Sequence, residues 1–187
     1  VFTGRRDING TYVEPPFLRL YETGGIVLLD EFDAADPNVA LVINSALANC
    51  HLSVPLRAEK PVADRHPDFA AIIATNTWGL GPDGTYTGRE GLDASTRDRA
   101  AVAKIRIGYS ESVEASYLPK SDKLGAALRK VRENVEAQKI RRVVSTRAFE
   151  QAARLRAAGM SDRAILNRFL LDWTDAERAK ALAGVSL

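Results

Sequence analysis

Short runs of apolar residues, each closed by small polar or acidic residues, mark the first part of the chain. Gly25-Ile26-Val27-Leu28-Leu29 is unbroken, the pattern of a strand buried on both faces. Phe69-Ala70-Ala71-Ile72-Ile73-Ala74 predicts a second buried strand, and residues 102–109 predict a third. Between the first two, Asp36-Pro37 supplies an N-cap followed by proline at the first helical position. Val39, Ile43, Ala46 and Leu47 then fall on one face, predicting a helix over residues 37–49. Residues 52–64 carry two prolines and alternate in character, which reads as an irregular hairpin. Strand, helix, strand in this order points to a parallel α/β sheet. Further along the period changes. Leu124, Leu128, Val131 and Val135 recur at helical spacing, Ser145 and Ser161 stand where N-caps belong, and Thr174 with Glu177 fits a capping box. The second part therefore reads as a small helical bundle.

Composition changes at the same place as the period. Residues 1–111 hold most of the glycines and prolines and carry a net charge of −4, while residues 112–187, rich in Ala, Arg and Leu, carry +6. We read two domains with these bounds, joined near Tyr117-Leu118-Pro119-Lys120-Ser121. The whole chain of 187 residues is nearly neutral at +2, which argues against a dominant polyanion-binding role. No apolar window is long enough for a bilayer, so no membrane partner is expected. The lone Cys50 excludes a disulfide scaffold and fits a reducing, cytoplasmic setting. The opening Val1-Phe2-Thr3-Gly4-Arg5-Arg6 has neither an initiator Met nor an h-region, and the expectation is a piece of something longer.

Candidate chemistry gathers at strand ends. Asp30 and Glu31 directly follow the first apolar run, where open α/β sheets place their ligands. Two acids there can divide labour: Asp30 can hold a hydrated Mg²⁺ while Glu31 orients and deprotonates a water. The alternative is a strand running into an acidic surface turn, with Asp33 and Asp36 nearby. Asn76, at the end of the second run, can bond a phosphate oxygen and a water held by Glu31, or simply cap a turn. Gly79-Leu80-Gly81-Pro82-Asp83-Gly84 matches G-x-G-x-x-G in form but not in context, because Pro82, Gly84, Gly88 and Gly91 keep the segment in loop. Arg97 and Arg99 sit beside Asp93 and Asp98, either as a salt-bridged helix face or as an arginine offered to a neighbouring subunit's phosphate. Arg147 falls in the first turn of a helix, where positive charge opposes the dipole and calls for an anionic partner. Cys50, His51 and His66 lack the spacing of a zinc site. Residues 153–166 have helix-turn-helix spacing, equally the property of a helical lid, and Phe169 and Trp173 read as core.

Taken in order, these features resemble an AAA+ ATPase of the MoxR-like and dynein-related branch, nearest the ATPase subunit of the aerobic cobaltochelatases. The residues that carry the resemblance are Ala74-Thr75-Asn76-Thr77-Trp78-Gly79-Leu80-Gly81, Gly84-Thr85-Tyr86-Thr87-Gly88 and Asp98-Arg99, together with the run ending in Asp30-Glu31. It covers roughly residues 7–147. The resemblance implies a partial P-loop NTPase core of parallel α/β type followed by an α-helical lid. It also implies ATP and Mg²⁺ as ligands, a homo-oligomeric ring of usually six subunits, and a protein partner that often carries a von Willebrand factor A domain. Asp30 and Glu31 would be the Walker B pair, Asn76 sensor 1, Arg99 the arginine finger with Arg97 the alternative, and Arg147 sensor 2. Residues 11–21 and 52–64 fall where this branch carries hairpins that face a partner or the pore.

Two departures qualify the likeness. Ala100 follows Arg99 where the family usually has an aromatic residue. No G-x-x-x-x-G-K-[ST] occurs, nor any Gly-Lys dipeptide, so the loop whose amides and lysine cradle phosphates is absent. The expectation is the hydrolytic part of a motor whose Walker A lies upstream, inactive alone. The alternatives are a catalytically dead interaction module and a nucleic-acid remodeller using the basic lid.

Overall fold

The structure is a computed structural model that describes residues 2–101 and 103–187. It divides into two compact units, Val1–Lys104 and Ile105–Leu187, the division falling ahead of the composition change at residues 111–112.

The first unit is of α/β type. A short hairpin pairs β1 (Arg5–Arg6) with β2 (Tyr12–Val13), its turn held by Asp7 Oδ1, which accepts from the Asn9 and Thr11 amides. Helix α1 (Pro16–Thr23) follows at once. The expected hairpin over residues 11–21 is therefore replaced by one strand and most of a helix. Pro16 presets φ for the first helical turn, and Phe17, Leu18 and Tyr21 supply a buried face, so the helix wins.

Strand β3 (Gly25–Leu29) runs parallel to β6 (Phe69–Ile73), in register from Gly25 opposite Phe69 to Leu29 opposite Ile73. The crossover contains helix α2 (Pro37–Asn49) and a second hairpin, β4 (His51–Ser53) with β5 (Val62–Asp64). Both were legible in the sequence. Asp36 caps α2 by accepting from the Asn38 amide at 2.8 Å. The core is built from α1, the inner face of α2 and the hairpin around Phe69; Tyr21 is fully buried there and donates to the Ala46 carbonyl at 2.7 Å.

The strands are not buried on both faces as their apolar runs suggested. Ile26, Leu28 and Ile72 are 67, 61 and 52% exposed, because among the described residues the sheet has only these two strands and one of its faces is uncovered. Nor is there a third strand: residues 103–109 have no regular structure, with Ile105 and Ile107 exposed, while Val102 lies outside the described residues. A strand needs a neighbour to satisfy its amides, and no described strand borders this segment. Helix α3 (Ala94–Arg99) closes the unit, capped by Asp93 and tied to α2 by a buried hydrogen bond from Asn44 Nδ2 to the Thr96 hydroxyl.

The second unit is helical: α4 (Glu111–Tyr117), α5 (Lys123–Ala137), α6 (Thr146–Ala157), α7 (Asp162–Phe169) and α8 (Asp175–Ala181). The stripe of Leu124, Leu128, Val131 and Val135 is buried against Phe149, Ile165, Leu166, Leu170 and Trp173. Ser161 and Thr174 cap as their positions foretold, Thr174 in a full capping box with Glu177. Ser145 precedes α6 but its hydroxyl makes no cap bond. Among the described residues no helix is long and apolar enough to cross a membrane.

Candidate active site

Parallel register brings the two strand ends out together. Beyond it the backbones stay joined: the Ala74 amide donates to the Leu29 carbonyl and the Phe32 amide to the Ala74 carbonyl, each at 3.0 Å. Asp30-Glu31 and Asn76-Thr77 therefore leave the carboxyl end of the sheet side by side.

Asp30 is exposed, and its Oδ1 accepts from the Glu31 amide at 2.9 Å. It borders a cavity of about 460 Å³ whose other walls include Val27, Leu28, Phe32 and Val39. Glu31 takes a left-handed conformation, φ 51°, that a non-glycine residue adopts at a cost, and its carboxylate stands 64% exposed. Asn76 is exposed, and its amide is pinned.

The residue that pins it was not singled out from the sequence, where Asp33 counted as part of an acidic turn. Asp33 is completely buried. Its Oδ2 accepts three hydrogen bonds: from the Asn76 and Thr77 amides at 3.1 Å and from the Thr77 hydroxyl at 2.8 Å. Its backbone carbonyl accepts from the Glu90 amide at 2.7 Å. Facing it is Arg89, only 12% exposed, whose guanidinium lies 3.4 Å from Asp33 Oδ1 and 3.3 Å from Glu31 Oε1. Burying a carboxylate without partners is costly, so the surroundings of Asp33 had to be built for it. Only the spacing of an acid after two exposed ones hinted at this, and that spacing is shared by any surface turn.

A turn at Gly79 explains how Arg89 arrives. Gly79 has φ 69° and leaves no room for a Cβ, which would meet Leu92 Cδ1 at 2.8 Å. The chain turns there and closes on itself through a bridge between Leu80 and Gly91 and a bond from the Leu92 amide to the Gly79 carbonyl. No helix follows until Ala94, in keeping with the rejection of a dinucleotide fingerprint. Inside this loop, Asp83 accepts from the Tyr86 and Thr85 amides, and these bonds hold its carboxyl below the usual range.

The arginines divide. Arg99 is exposed at the end of α3, while Arg97 is half-buried with its Nε lacking a hydrogen-bond partner. Of the two readings for this segment, the salt-bridged face is not what forms: neither arginine makes an ion pair among the described residues, and Asp93 spends its carboxylate on the Thr96 amide, the Thr96 hydroxyl and the Ser95 hydroxyl, which lower its pKa. Arg147 lies in the second unit, exposed in the first turn of α6 with no acidic partner among the described residues. Its neighbour Thr146 instead donates to Glu114, a buried carboxylate also paired with Arg132.

For a metal, no described group of three His, Cys, Asp or Glu side chains converges. Asp30 alone suits an ion such as Mg²⁺, which keeps most of its waters and takes one or two carboxylates besides substrate phosphates. No protein-family model matches the chain, and no curated protein matches its sequence.

Proposed function

We propose that this chain carries the water-activating half of an ATP-hydrolysing site of the AAA+ kind, MoxR-like and nearest the cobaltochelatase motor subunits. The phosphate-cradling half comes from a P-loop segment that these residues do not include. The observation that carries the reading is the parallel pair β3–β6, whose register delivers Asp30, Glu31 and Asn76 to one sheet end, cross-tied by Asp33. That is the place where open α/β sheets do chemistry. The uncovered sheet face supports it further, since parallel sheets are normally covered on both faces.

On this reading Glu31 accepts the proton of the attacking water, Asn76 orients that water, and Asp30 holds hydrated Mg²⁺, which neutralises phosphate charge when bound. Arg99, exposed at its helix end, reaches the phosphate of a neighbouring subunit in a homo-oligomeric ring, and Arg147 a nucleotide in its own subunit. The work done is remodelling of a protein partner, of which one bearing a von Willebrand factor A domain is the leading candidate.

The test is ATP turnover, with and without Mg²⁺, by this chain and by a form extended to include a P-loop. Activity confined to the extended form, abolished by Glu31→Gln with ATP binding kept, is the expected result. Turnover unchanged by Glu31→Gln removes Glu31 from the mechanism. Silence in a folded, assembled extended form favours an interaction module without turnover, a reading that the missing Gly-Lys in these 187 residues keeps in play.

A further inference from the structure

Arg89 entered none of the roles above, yet no other described cation is paired with two of the strand-end acids. We propose that Arg89 is a positioning residue for Glu31, its guanidinium fixing where the candidate base can lie. The inference rests on the ATPase reading of the site.

Three observations carry it. Arg89 is delivered by backbone, not by chance side-chain reach: the Glu90 amide donates to the Asp33 carbonyl at 2.7 Å, and the Leu80–Gly91 bridge closes the loop behind it. Its planar fork spans two carboxylates of opposite character, the exposed Glu31 at 3.3 Å and the wholly buried Asp33 at 3.4 Å. A buried, pre-organised arginine at such a fork defines direction in a way a lysine does not. Finally, Arg89 Nη1 and Asp33 Oδ1 are both buried and neither makes a hydrogen bond. Asp33 thus holds the guanidinium by charge at 3.4 Å, in an orientation that makes no hydrogen bond, while its other oxygen is committed to Asn76 and Thr77. The strained conformation of Glu31 and the pinned backbone of Asn76 are then linked through one acid–base pair, so the base and the residue that orients the water share an anchor.

The consequence is a loss in chemistry without a loss in nucleotide binding. The experiment measures kcat and KM for ATP in the complete protein for Arg89→Lys, Arg89→Gln and each of these combined with Glu31→Gln. Arg89→Lys keeps a positive charge against Asp33, so it guards against a variant that fails to fold. Misplacement of a reacting group by about an ångström can cost roughly 100-fold, and a lysine that keeps one partner should lose less, about tenfold in kcat. KM is expected to stay within about twofold, as for an interaction absent from substrate binding. Arg89→Gln loses more. In single-turnover experiments, which read the slow rate left by Glu31→Gln, changing Arg89 should lower that rate no further, because the group that Arg89 positions is already gone. Losses that multiply, or kcat and KM that fail together with the thermal midpoint, would make Arg89 a structural partner of Asp33 and overturn the proposal. So would an Arg89→Lys enzyme of unchanged kcat. If Glu31→Gln itself leaves turnover intact, the ATPase reading falls and this inference with it. If Glu31→Gln abolishes turnover while both Arg89 variants are fully active, only this inference falls.

Discussion

Replacing Asp33 by Asn isolates the tie between the two strand ends. The substitution keeps the volume of a side chain that has no solvent exposure and removes its charge. The carboxylate accepts three hydrogen bonds on one oxygen and faces a largely buried guanidinium with the other. An amide can turn its oxygen to the Asn76 and Thr77 donors, but its NH₂ then meets Arg89 donor to donor. Each bond to a charged acceptor is worth about 1.5–3 kcal/mol, more than its neutral counterpart, and breaking a buried ion pair from one side costs about 3–5 kcal/mol. Because Arg89 keeps Glu31 as a second, exposed partner, we take the lower end, about 3 kcal/mol. At 1.4 kcal/mol per factor of ten, that corresponds to about 100-fold in the opening equilibrium of the tie. Amide hydrogen exchange reads it residue by residue. The Asn76 and Thr77 amides, which donate to the carboxylate, should exchange about 100-fold faster, while amides of α5 in the other unit serve as an unchanged reference. Acceleration below about threefold at both amides would refute the assignment of Asp33 as their anchor.

Two further outcomes follow from the helical unit. Glu114 is 1% exposed and is held by Arg132 and the Thr146 hydroxyl, so Glu114→Ala should cost about 3–5 kcal/mol in urea unfolding followed at the buried Trp173 in a Trp78→Phe background; a loss under about 1 kcal/mol would show that the pair contributes little. Glu177 is lowered from 4.5 to about 2, chiefly by its hydrogen bonds from Arg142 and then by the Thr174 amide. A carboxylate whose folded pKa is depressed stabilises fully above its unfolded value and loses that contribution as pH falls through the folded one. Its share should therefore fade between about pH 4.5 and 2, and Glu177→Gln should flatten the acid limb of the stability profile there; an acid limb identical to that of the native chain would contradict this.

Elements governed by local rules were legible in the sequence. Asp36 and Pro37 start α2 through groups within its own first turn, and the α5 stripe is buried as its spacing requires. The elements that failed depend on partners far away in the chain. Residues 103–109 alternate Ile105 and Ile107 like a strand, but a strand exists only beside another, and the apolar run of β3 promised two covered faces where the structure covers one. The pattern recorded a burial that these residues alone do not provide.

The site divides along the same line. Asp30, Glu31 and Asn76 could be named because each ends an apolar run, and parallel register then forces their proximity. Asp33 and Arg89 could not, since their meeting depends on a loop closed by Gly79 and a Leu80–Gly91 bridge, a distance in sequence that no short motif spans. Yet those two hold the named residues in place, through bonds to Asn76 and Thr77 on one side and an ion pair to Glu31 on the other. A reader of motifs finds the groups that would touch a substrate, because chemistry restricts their type and strand ends restrict their place. The supports beneath them are set by packing, where an acid after a turn and an arginine in a loop are ordinary until the structure makes them a pair.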